Sequence, residues 1–298
     1  MAKYTPHKKL KKRTEDPATR DGANQEYQPK VNPIAADYSN IFFGGDREPV
    51  EFSADKVNVT ENSKNKITCL LWNICGIRKQ FRRGPVVGIS RLIKELKPDI
   101  ICLNELKAPE NSVNNIAQEI GYGYYCVPST FDNGKHARGS AIFCKDETIT
   151  VKSEGKWSDA NVELVWLKVE KRKVNCHIVC CYAAPSNTKQ KKETKFKAIF
   201  EQLKGELPTK KNIIVVGDSN LNKSEHDFKK LCDACDYDEW VRSTVTNVQD
   251  GGETSIDIIA TKKRGFVEAT DIKGYGPRNR QRYHLAMHFS IQKKIASN

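Results

Sequence analysis

The sequence predicts an α/β fold in which two packed, mixed β-sheets are flanked by helices in a four-layer sandwich. From residue 66 onward, short apolar runs are separated by polar turns that contain Gly and Pro, a sequence pattern typical of domains with many strands. Strands and helical patterns alternate in the first half of this region, whereas strands follow one another in pairs in its middle. A single doubly wound parallel sheet fits that pairing poorly, so two sheets are expected.

Nine apolar runs are predicted to be strands. They are Ile67–Asn73, Asp99–Leu103, Tyr122–Pro128, Ser140–Cys144, Val162–Glu170, Val174–Tyr182, Asn212–Gly217, Ser255–Ala260 and His284–Ile291. Three amphipathic patterns are predicted to be helices, namely Val86–Leu96, Thr188–Leu207 and Glu225–Cys235. The first carries Ile89, Leu92, Ile93 and Leu96 at helical spacing, and Pro98 ends it.

Residues 1–65 are predicted to be a flexible basic N-terminal arm, and residues 66–298 a compact domain. The arm is rich in Lys, Asn, Asp, Pro and Gly, and such a composition cannot offset the entropy lost on ordering. The basic cluster from His7 to Arg13 is typical of nuclear import or phosphate contact, and equally of a solvated tail. We therefore expect a nuclear location, although this cluster fits a solvated tail equally well.

The charge favours a polyanionic partner. Lys and Arg number 50 against 37 Asp and Glu, which gives a net charge of +13. Nucleic acid is the first candidate, and charge alone also allows acidic lipid. No apolar run reaches the length of about 20 residues that spans a bilayer, and no signal-peptide pattern is seen. Because most of the ten cysteines lie in apolar runs, we expect buried free thiols in a reducing, intracellular compartment.

Polar side chains follow three of the predicted strands. Asn73, Glu105 and the pair Asp218 and Asn220 each stand where a buried strand opens into a loop, which is where functional sites are often found. A carboxylate such as Glu105 suits a hard cation such as Mg²⁺. An aspartate can activate water while a nearby amide donates to a phosphate oxygen. Ordinary turn chemistry is the alternative explanation for each residue taken alone.

Asp257 lies within a predicted apolar strand. A buried carboxylate needs a partner, because an unpaired charge in the interior costs several kcal/mol. The expected partner is His284, whose tautomer an aspartate would fix and whose basicity it would raise. A histidine that simply packs in the core is the alternative.

Taken together and in this order, these segments resemble the endonuclease/exonuclease/phosphatase superfamily over about residues 66–292. The matching segments are Trp72-Asn73, Leu103-Asn104-Glu105, Cys181-Tyr182, Gly217-Asp218-Ser219-Asn220, Ser255-Ile256-Asp257 and His284. The resemblance implies a DNase I-like sandwich and a phosphodiesterase that uses Mg²⁺ or Mn²⁺.

The resemblance also implies roles for individual residues. Glu105 would bind the metal with support from Asn73, and Asp218 would activate water. Asn220 and Tyr182 would contact the phosphate, and Asp257 would orient the catalytic His284. Two positions depart from the family pattern, because Ser219 replaces an aromatic residue and Tyr283 stands where Asp usually precedes the histidine. The missing carboxylate predicts weaker metal binding or a slower reaction. A relative of the family without catalytic activity is the alternative.

Within the superfamily, the chain looks most like the apurinic-type endonuclease domain of non-LTR retrotransposons. This likeness rests on the segments IICLNE and NIIVVGDSN and on the basic N-terminal arm. The likeness implies nicking of double-stranded DNA to leave a 3′ hydroxyl. RNA, a phosphorylated small molecule, or nucleic-acid binding without catalysis are the alternatives. Six basic residues are predicted to contact the phosphate backbone: Arg82, Arg138, Lys189, Arg278, Arg280 and Arg282.

Overall fold

The computed structural model describes residues 65–76, 92–132, 135–207, 211–222, 228–239, 247–249, 252–275, 282–284 and 286–294. The predicted arm, apart from its last residue, lies outside the described residues. The strands are β1 Ile67–Asn73, β2 Ile100–Asn104, β3 Gly123–Val127, β4 Thr130–Asp132, β5 Lys135–Ala137, β6 Ser140–Cys144, β7 Thr150–Ser158, β8 Val162–Lys171, β9 Val174–Ala183, β10 Ile213–Asp218, β11 Tyr237–Glu239, β12 Asn247–Gln249, β13 Gly252–Thr254, β14 Asp257–Lys262, β15 Val267–Tyr275, β16 Arg282–His284 and β17 Ala286–Lys293. The helices with both ends described are α1 Glu110–Ile120, α2 Lys189–Glu206 and α3 Phe228–Ala234.

Two six-stranded mixed sheets form the body of the fold. The first has the order β15-β17-β1-β2-β6-β3, and the second has the order β11-β14-β10-β9-β8-β7. Each sheet contains one parallel pair at its centre, β1 with β2 and β9 with β10, and its other pairs are antiparallel. The predicted α/β fold of two packed mixed sheets is confirmed.

The core lies between the sheets because alternate strand residues face inward. Cys69 and Leu71 of the first sheet share a buried cluster with Ile178, Cys180 and Ile214 of the second. The outer faces are buried as well, which explains why the strands are apolar throughout rather than alternating. Helix α1 covers the first sheet, and helices α2 and α3 cover the second. The flanking helices complete the four layers.

Every predicted strand overlaps an observed one, although two boundaries change the setting of a candidate residue. Asp257 does not lie within its strand but opens it, because Ser255 and Ile256 precede β14. His284 does not begin a long strand. It ends the short strand β16, which belongs to a separate three-stranded sheet with β12 and β13. Both residues therefore stand at strand ends, where side chains reach an open edge.

The predicted helices are found where they can be checked. Thr188 caps α2 by accepting a hydrogen bond from the Lys191 N–H, and the helix ends one residue before Leu207. Residues 92–96 are helical, while residues 86–91 and 223–227 lie outside the described residues. No helix in the described ranges is long and apolar enough to cross a membrane. All ten cysteines are free thiols and eight are buried, as predicted, although Cys75 is exposed.

Candidate active site

The carboxyl ends of the two parallel strand pairs bring the predicted residues to one edge of the sandwich. Asn73 and Asn104 are register partners at the ends of β1 and β2. Asp218 is the register partner of Tyr182 on one side and of Asp257 on the other. Since parallel strands that end together place their loops side by side, such an edge is a common location for a ligand.

Asn73 links the two sheets through its amide group. Its Nδ2 donates to Asp218 Oδ2 at 2.7 Å and to Glu105 Oε1 at 3.1 Å. Its Oδ1 accepts the Cys75 N–H at 3.1 Å, which fixes the orientation of the amide so that the nitrogen faces both carboxylates. A turn residue would not need these contacts. The geometry therefore favours the functional interpretation of Asn73.

Glu105 is more accessible than Asp218 and Asp257, with a side chain that is 15% exposed. Its backbone is left-handed, with φ of 53°, which turns the side chain out of the strand direction. The carboxylate accepts a hydrogen bond from the Tyr182 hydroxyl at 3.3 Å and pairs with the Lys107 ammonium. Burial opposes ionisation, but the bonds from Lys107 and Asn73 prevail and lower the pKa of Glu105.

Asp218 is buried, with 1% of its surface exposed. Its Oδ1 accepts the Asn220 N–H at 2.8 Å, and its Oδ2 accepts from Asn220 Nδ2 at 3.3 Å as well as from Asn73. Burial is the main cause that raises the pKa of Asp218 to about 7, and the negative charge of Asp257 adds to it. A carboxylate with a pKa near neutrality is suited to accept a proton.

Asn220 is held by two acceptors. Its Nδ2 donates to the Ala183 carbonyl at 2.8 Å in addition to the contact with Asp218. Both amide hydrogens are thereby engaged, so Asn220 positions Asp218 in this structure. The transition-state donor role that the resemblance implies would require one of these bonds to be exchanged for a phosphate oxygen.

His284 lies against Asp257, with its Nδ1 3.3 Å from Asp257 Oδ2. The histidine backbone is held by Trp72, whose Nε1 donates to the His284 carbonyl at 3.0 Å. Burial lowers the pKa of the imidazole, but the adjacent Asp257 carboxylate outweighs burial and raises it to about 9. The imidazole is therefore cationic at neutral pH and can donate to a phosphate oxygen.

Three buried residues behind this edge, which the sequence analysis gave no role, connect it to the interior. Asn104 Oδ1 accepts the Asp218 N–H at 3.1 Å, and its Nδ2 donates to Ser140 Oγ at 3.1 Å. The Ser140 hydroxyl donates to Glu163 Oε2 at 2.9 Å. Glu163 is 1% exposed, and burial raises its pKa. The sequence could have indicated Glu163, because it stands between the apolar residues Val162 and Leu164, and Asp257 was identified from a similar apolar setting.

Glu163 also holds the loop that carries Glu105. Both carboxylate oxygens lie 3.2 Å from the Gly139 N–H, which donates to them. The carbonyls of Arg138 and Gly139 accept the backbone N–H groups of Lys107 and Leu106 at 2.8 and 3.0 Å. We call Asn104, Ser140 and Glu163 the buried relay. It contacts the backbone of Asp218 at one end and, through Gly139, the Glu105 loop at the other.

Few of the predicted phosphate-contacting residues can be located. Lys189 is exposed at the start of α2. The Arg138 guanidinium donates to the carbonyls of Asp159, at 3.0 Å, and Ala160, so it is engaged within the protein. The backbone of Arg282 pairs with Gln249, but its side chain lies outside the described residues, as do Arg82, Arg278 and Arg280. Lys107, which the sequence analysis missed, pairs with the Glu105 carboxylate.

Two groups at this edge offer ligands for a divalent cation. Among the described residues, ligand atoms of Asp218, Asp257 and His284 lie within 4.8 Å of one another. Both oxygens of Asp218 already accept hydrogen bonds, and Asp257 Oδ2 lies against His284 Nδ1. Glu105 instead directs a partly exposed oxygen at the Lys107 ammonium, so a positive charge is already stabilised there. Glu105 therefore suits a hard cation such as Mg²⁺ better than the group of Asp218, Asp257 and His284 does, because its carboxylate oxygen is partly accessible.

Comparison with known proteins places these features in a family. A sequence model of the endonuclease/exonuclease/phosphatase family matches residues 70–267. The chain is 22% identical over 189 residues to a DNA-(apurinic or apyrimidinic site) endonuclease of Dictyostelium discoideum, covering 60% of this chain and 49% of that protein. The chain therefore spans about half the length of that relative.

Solved structures share the fold at low sequence identity. The human Nocturnin catalytic domain with bound sulfate anion has a TM-score of 0.60 at 15% identity, covering 77% of this chain and 94% of that one. The D. rerio TDP2 structure complexed with single strand DNA product has a TM-score of 0.56 at 12% identity, covering 76% and 99%. The family match extends over more than half of the sequence and contains every strand from β2 to β14. The chain belongs to the endonuclease/exonuclease/phosphatase family.

Proposed function

We propose that this protein is a metal-dependent endonuclease that hydrolyses DNA phosphodiesters and leaves a 3′ hydroxyl. The observation that carries the proposal is the Asn73 amide, which joins Glu105 of one sheet to Asp218 of the other. The Asp257–His284 pair stands at the same edge. A base, a cationic donor and an accessible carboxylate are thus assembled in one place, which is the set of groups that phosphodiester hydrolysis needs.

Asp218 acts as the base in this proposal. Its carboxylate takes a proton from water as the water oxygen bonds to phosphorus, and a pKa near 7 matches that task. The P–O3′ bond breaks, and the departing O3′ takes up a proton from solvent water to become the 3′ hydroxyl. The Asn73 and Asn220 amides hold Asp218 in one orientation for this step.

His284 and Tyr182 stabilise the negative charge that develops on the phosphate. The imidazolium is kept charged by Asp257, so it can donate to an oxygen of the phosphate. Burial is the main cause that raises the pKa of Tyr182 far above its ordinary value, so the phenol stays protonated. Its one hydrogen, which Glu105 Oε1 accepts in this structure, would have to be exchanged to a phosphate oxygen for Tyr182 to take this role. Pre-placed donors such as the imidazolium need little reorganisation during the reaction.

Glu105 would hold the divalent ion, for which we propose Mg²⁺, with Mn²⁺ able to replace it. Bound there, the ion would neutralise charge on the phosphate. Tyr182 and Asn73 fix the carboxylate by donating to its Oε1, which leaves Oε2 as the oxygen available to a cation. Lys107 occupies that position in this structure and would have to move aside.

DNA is proposed as substrate because of the relatives and the charge. One relative is named as a DNA endonuclease, and one structural neighbour was solved with a DNA product. The net charge of +13 favours any nucleic acid, and exposed Lys189 is available for phosphate contact. Duplex DNA as the form attacked, nicking for a retrotransposon and a nuclear location are the finer parts of this proposal.

Nicking of a supercoiled plasmid in Mg²⁺ or Mn²⁺ tests the proposal. We expect wild type to relax the plasmid and to leave ends that a DNA polymerase extends, which reports the 3′ hydroxyl. Asp218→Ala and His284→Ala should lose the activity, while the exposed-carboxylate control Asp146→Ala should retain it. Equal nicking by all four proteins would exclude this site.

Two negative outcomes separate the alternatives. If none of the proteins nicks DNA but wild type cleaves a labelled RNA or a phosphorylated small molecule in an Asp218-dependent manner, the site is right and the substrate wrong. If DNA is bound without turnover of any substrate, and Asp218→Ala binds equally well, the chain is a nucleic-acid-binding relative without catalytic activity.

A further inference from the structure

A basic surface lies at the end of the sandwich remote from the candidate site. It is a groove of about 290 Å³ lined by Lys173, Asn175, Asn212, Phe266, Val267, Lys293 and Lys294, which we call the distal groove. Strands β9 and β10 begin beside it at Val174 and Ile213 and end at the candidate site. Eight strand residues at about 3.3 Å each separate the two ends by about 26 Å.

Among the described residues, the distal groove carries an excess of positive charge. Lys173 and Lys293 in its wall, and Lys211 and Arg264 beside it, are exposed and make no ion pair with any described residue. Of the acidic side chains nearby, Asp233 pairs with Lys263 at 2.7 Å and Asp238 lies 3.9 Å from Lys294 of the groove. Glu268 accepts a hydrogen bond from Gln292 at 2.9 Å. Lys173 and Lys293 are therefore the groove cations available to an external anion.

Phe266 adds an exposed ring to this charge. Its side chain is 63% exposed, and only Phe131 among the described large apolar residues is similarly open. The backbone is fixed on both sides, because the Phe266 N–H donates to Asn212 Oδ1 at 2.8 Å and its carbonyl accepts the Lys294 N–H at 2.8 Å. The ring is thus presented to solvent beside the lysines of the groove, where its flat face is open to a ligand.

We propose that the distal groove binds single-stranded nucleic acid, with the Phe266 ring stacked on an unpaired base and Lys173 and Lys293 contacting phosphates. An aromatic platform flanked by cations is the arrangement that single strands recognise, because every base offers a flat face. A duplex keeps its bases stacked on one another and cannot reach the ring. A bilayer is flat and would meet protruding apolar side chains rather than a concave groove.

This inference rests on the proposed function only in taking nucleic acid as the ligand, and it does not involve the candidate active site. The binding test therefore uses full-length Asp218→Ala protein, which is expected not to cut the probe. Fluorescence anisotropy with a labelled 20-nucleotide oligo(dT) measures affinity across a salt series. Phe266→Ala should weaken binding about tenfold, the scale of one lost base stack.

Charge removal tests the phosphate contacts. The double variant Lys173→Gln with Lys293→Gln should lower the slope of log affinity against log salt by about 1.4, since each phosphate contact on a single strand contributes about 0.7. The matched control, Lys197→Gln with Lys204→Gln, removes the same charge from the exposed face of α2 and should change the slope by less than half as much. Equal slopes in both double variants would overturn the proposal.

Cross-linking locates the contact directly. An oligonucleotide that contains 5-iododeoxyuridine, irradiated on the protein, should attach to the peptide that carries Phe266, and the Phe266→Ala protein should lose that product. Absence of this cross-link from a bound complex overturns the proposal. So does binding to phosphatidylserine vesicles that depends on Phe266 while oligonucleotide binding does not. If plasmid nicking fails but the cross-link forms, the proposed function is wrong and the distal groove stands.

Discussion

Replacing Glu163 by Gln tests whether the buried relay positions the candidate site. The hydrogen bonds of the relay run in one direction, because Asn104 donates to Ser140 and Ser140 donates to Glu163. A Gln side chain with its nitrogen toward Ser140 leaves the serine hydroxyl without an acceptor. In the opposite orientation, the Gln nitrogen faces the Gly139 N–H, so two donors meet without an acceptor between them. That N–H lies 3.2 Å from both carboxylate oxygens of Glu163 in the wild type. Neither orientation satisfies all donors.

The expected magnitude follows from that mismatch. One buried donor left without an acceptor costs about 1–3 kcal/mol of unfolding free energy. Because the relay contacts the Asp218 backbone and, through Gly139, the Glu105 loop, a disturbed relay should also displace both carboxylates. Loss of a residue that supports such groups costs about tenfold to hundredfold in activity. The loss should fall on kcat rather than KM, since Glu163 is buried and touches no substrate.

Urea unfolding and steady-state cleavage measure the two effects on the same protein. Glu170→Gln is the matched control, because this residue lies on the same strand with a half-exposed side chain paired to Lys152 at 3.4 Å. An exposed pair of this kind contributes about 1 kcal/mol at most, so the control should resemble wild type in both assays. If Glu163→Gln loses the expected stability but keeps the wild-type kcat, the relay stabilises the fold without positioning the site.

Three further perturbations give separate tests. Gly217→Ala should lower expression and unfolding temperature strongly, because its φ is 146° and a Cβ would lie 1.8 Å from a carbonyl oxygen of the neighbouring strand. Lys107→Gln should lower the Mg²⁺ concentration for half-maximal cleavage by severalfold, since the ammonium competes for Glu105; an unchanged Mg²⁺ titration would contradict this. Asp257→Asn should move the pKa of His284 from about 9 toward its ordinary 6.5, as followed by NMR titration of the imidazole. A raised folded pKa stabilises the protein below about 6.5 and loses that effect as the pH rises to about 9, so the stability of wild type should fall over this window more than that of the variant.

The fold was largely predictable because apolar runs mark strands buried on both faces. The sequence analysis missed the edge strands β7 and β15 and the short strands β4, β5, β11, β12 and β13. Strand β7 has mostly exposed, polar residues from Thr150 to Ser158. The sequence analysis also missed α1, although Val113, Ile116 and Ala117 lie on one buried face with helical spacing. Polar Asn and Gln between those positions make the pattern weak. Edge elements carry a weaker hydrophobic signal because they bury less.

The candidate site was predictable only as a set of separate strand ends. Each of Asn73, Glu105 and Asp218 follows an apolar run, so its location at a strand end could be inferred from the sequence. The relay could not be found that way, because Asn104 and Ser140 lie in one sheet and Glu163 in the other. Periodicity shows which face a residue occupies but gives no distance between sheets.

The charge balance at the site bears on the departure at Tyr283, the position where the resemblance expects an aspartate. Among the described residues of the site, the three carboxylates Glu105, Asp218 and Asp257 face the two cationic groups of Lys107 and His284. Because the pKa of Asp218 is near 7, the site is only weakly negative at neutral pH. A further aspartate would strengthen its attraction for a divalent cation and weaken its attraction for a phosphate. Without that residue, the site should depend on substrate phosphate to complete the metal's surroundings, so metal and substrate should each tighten the binding of the other.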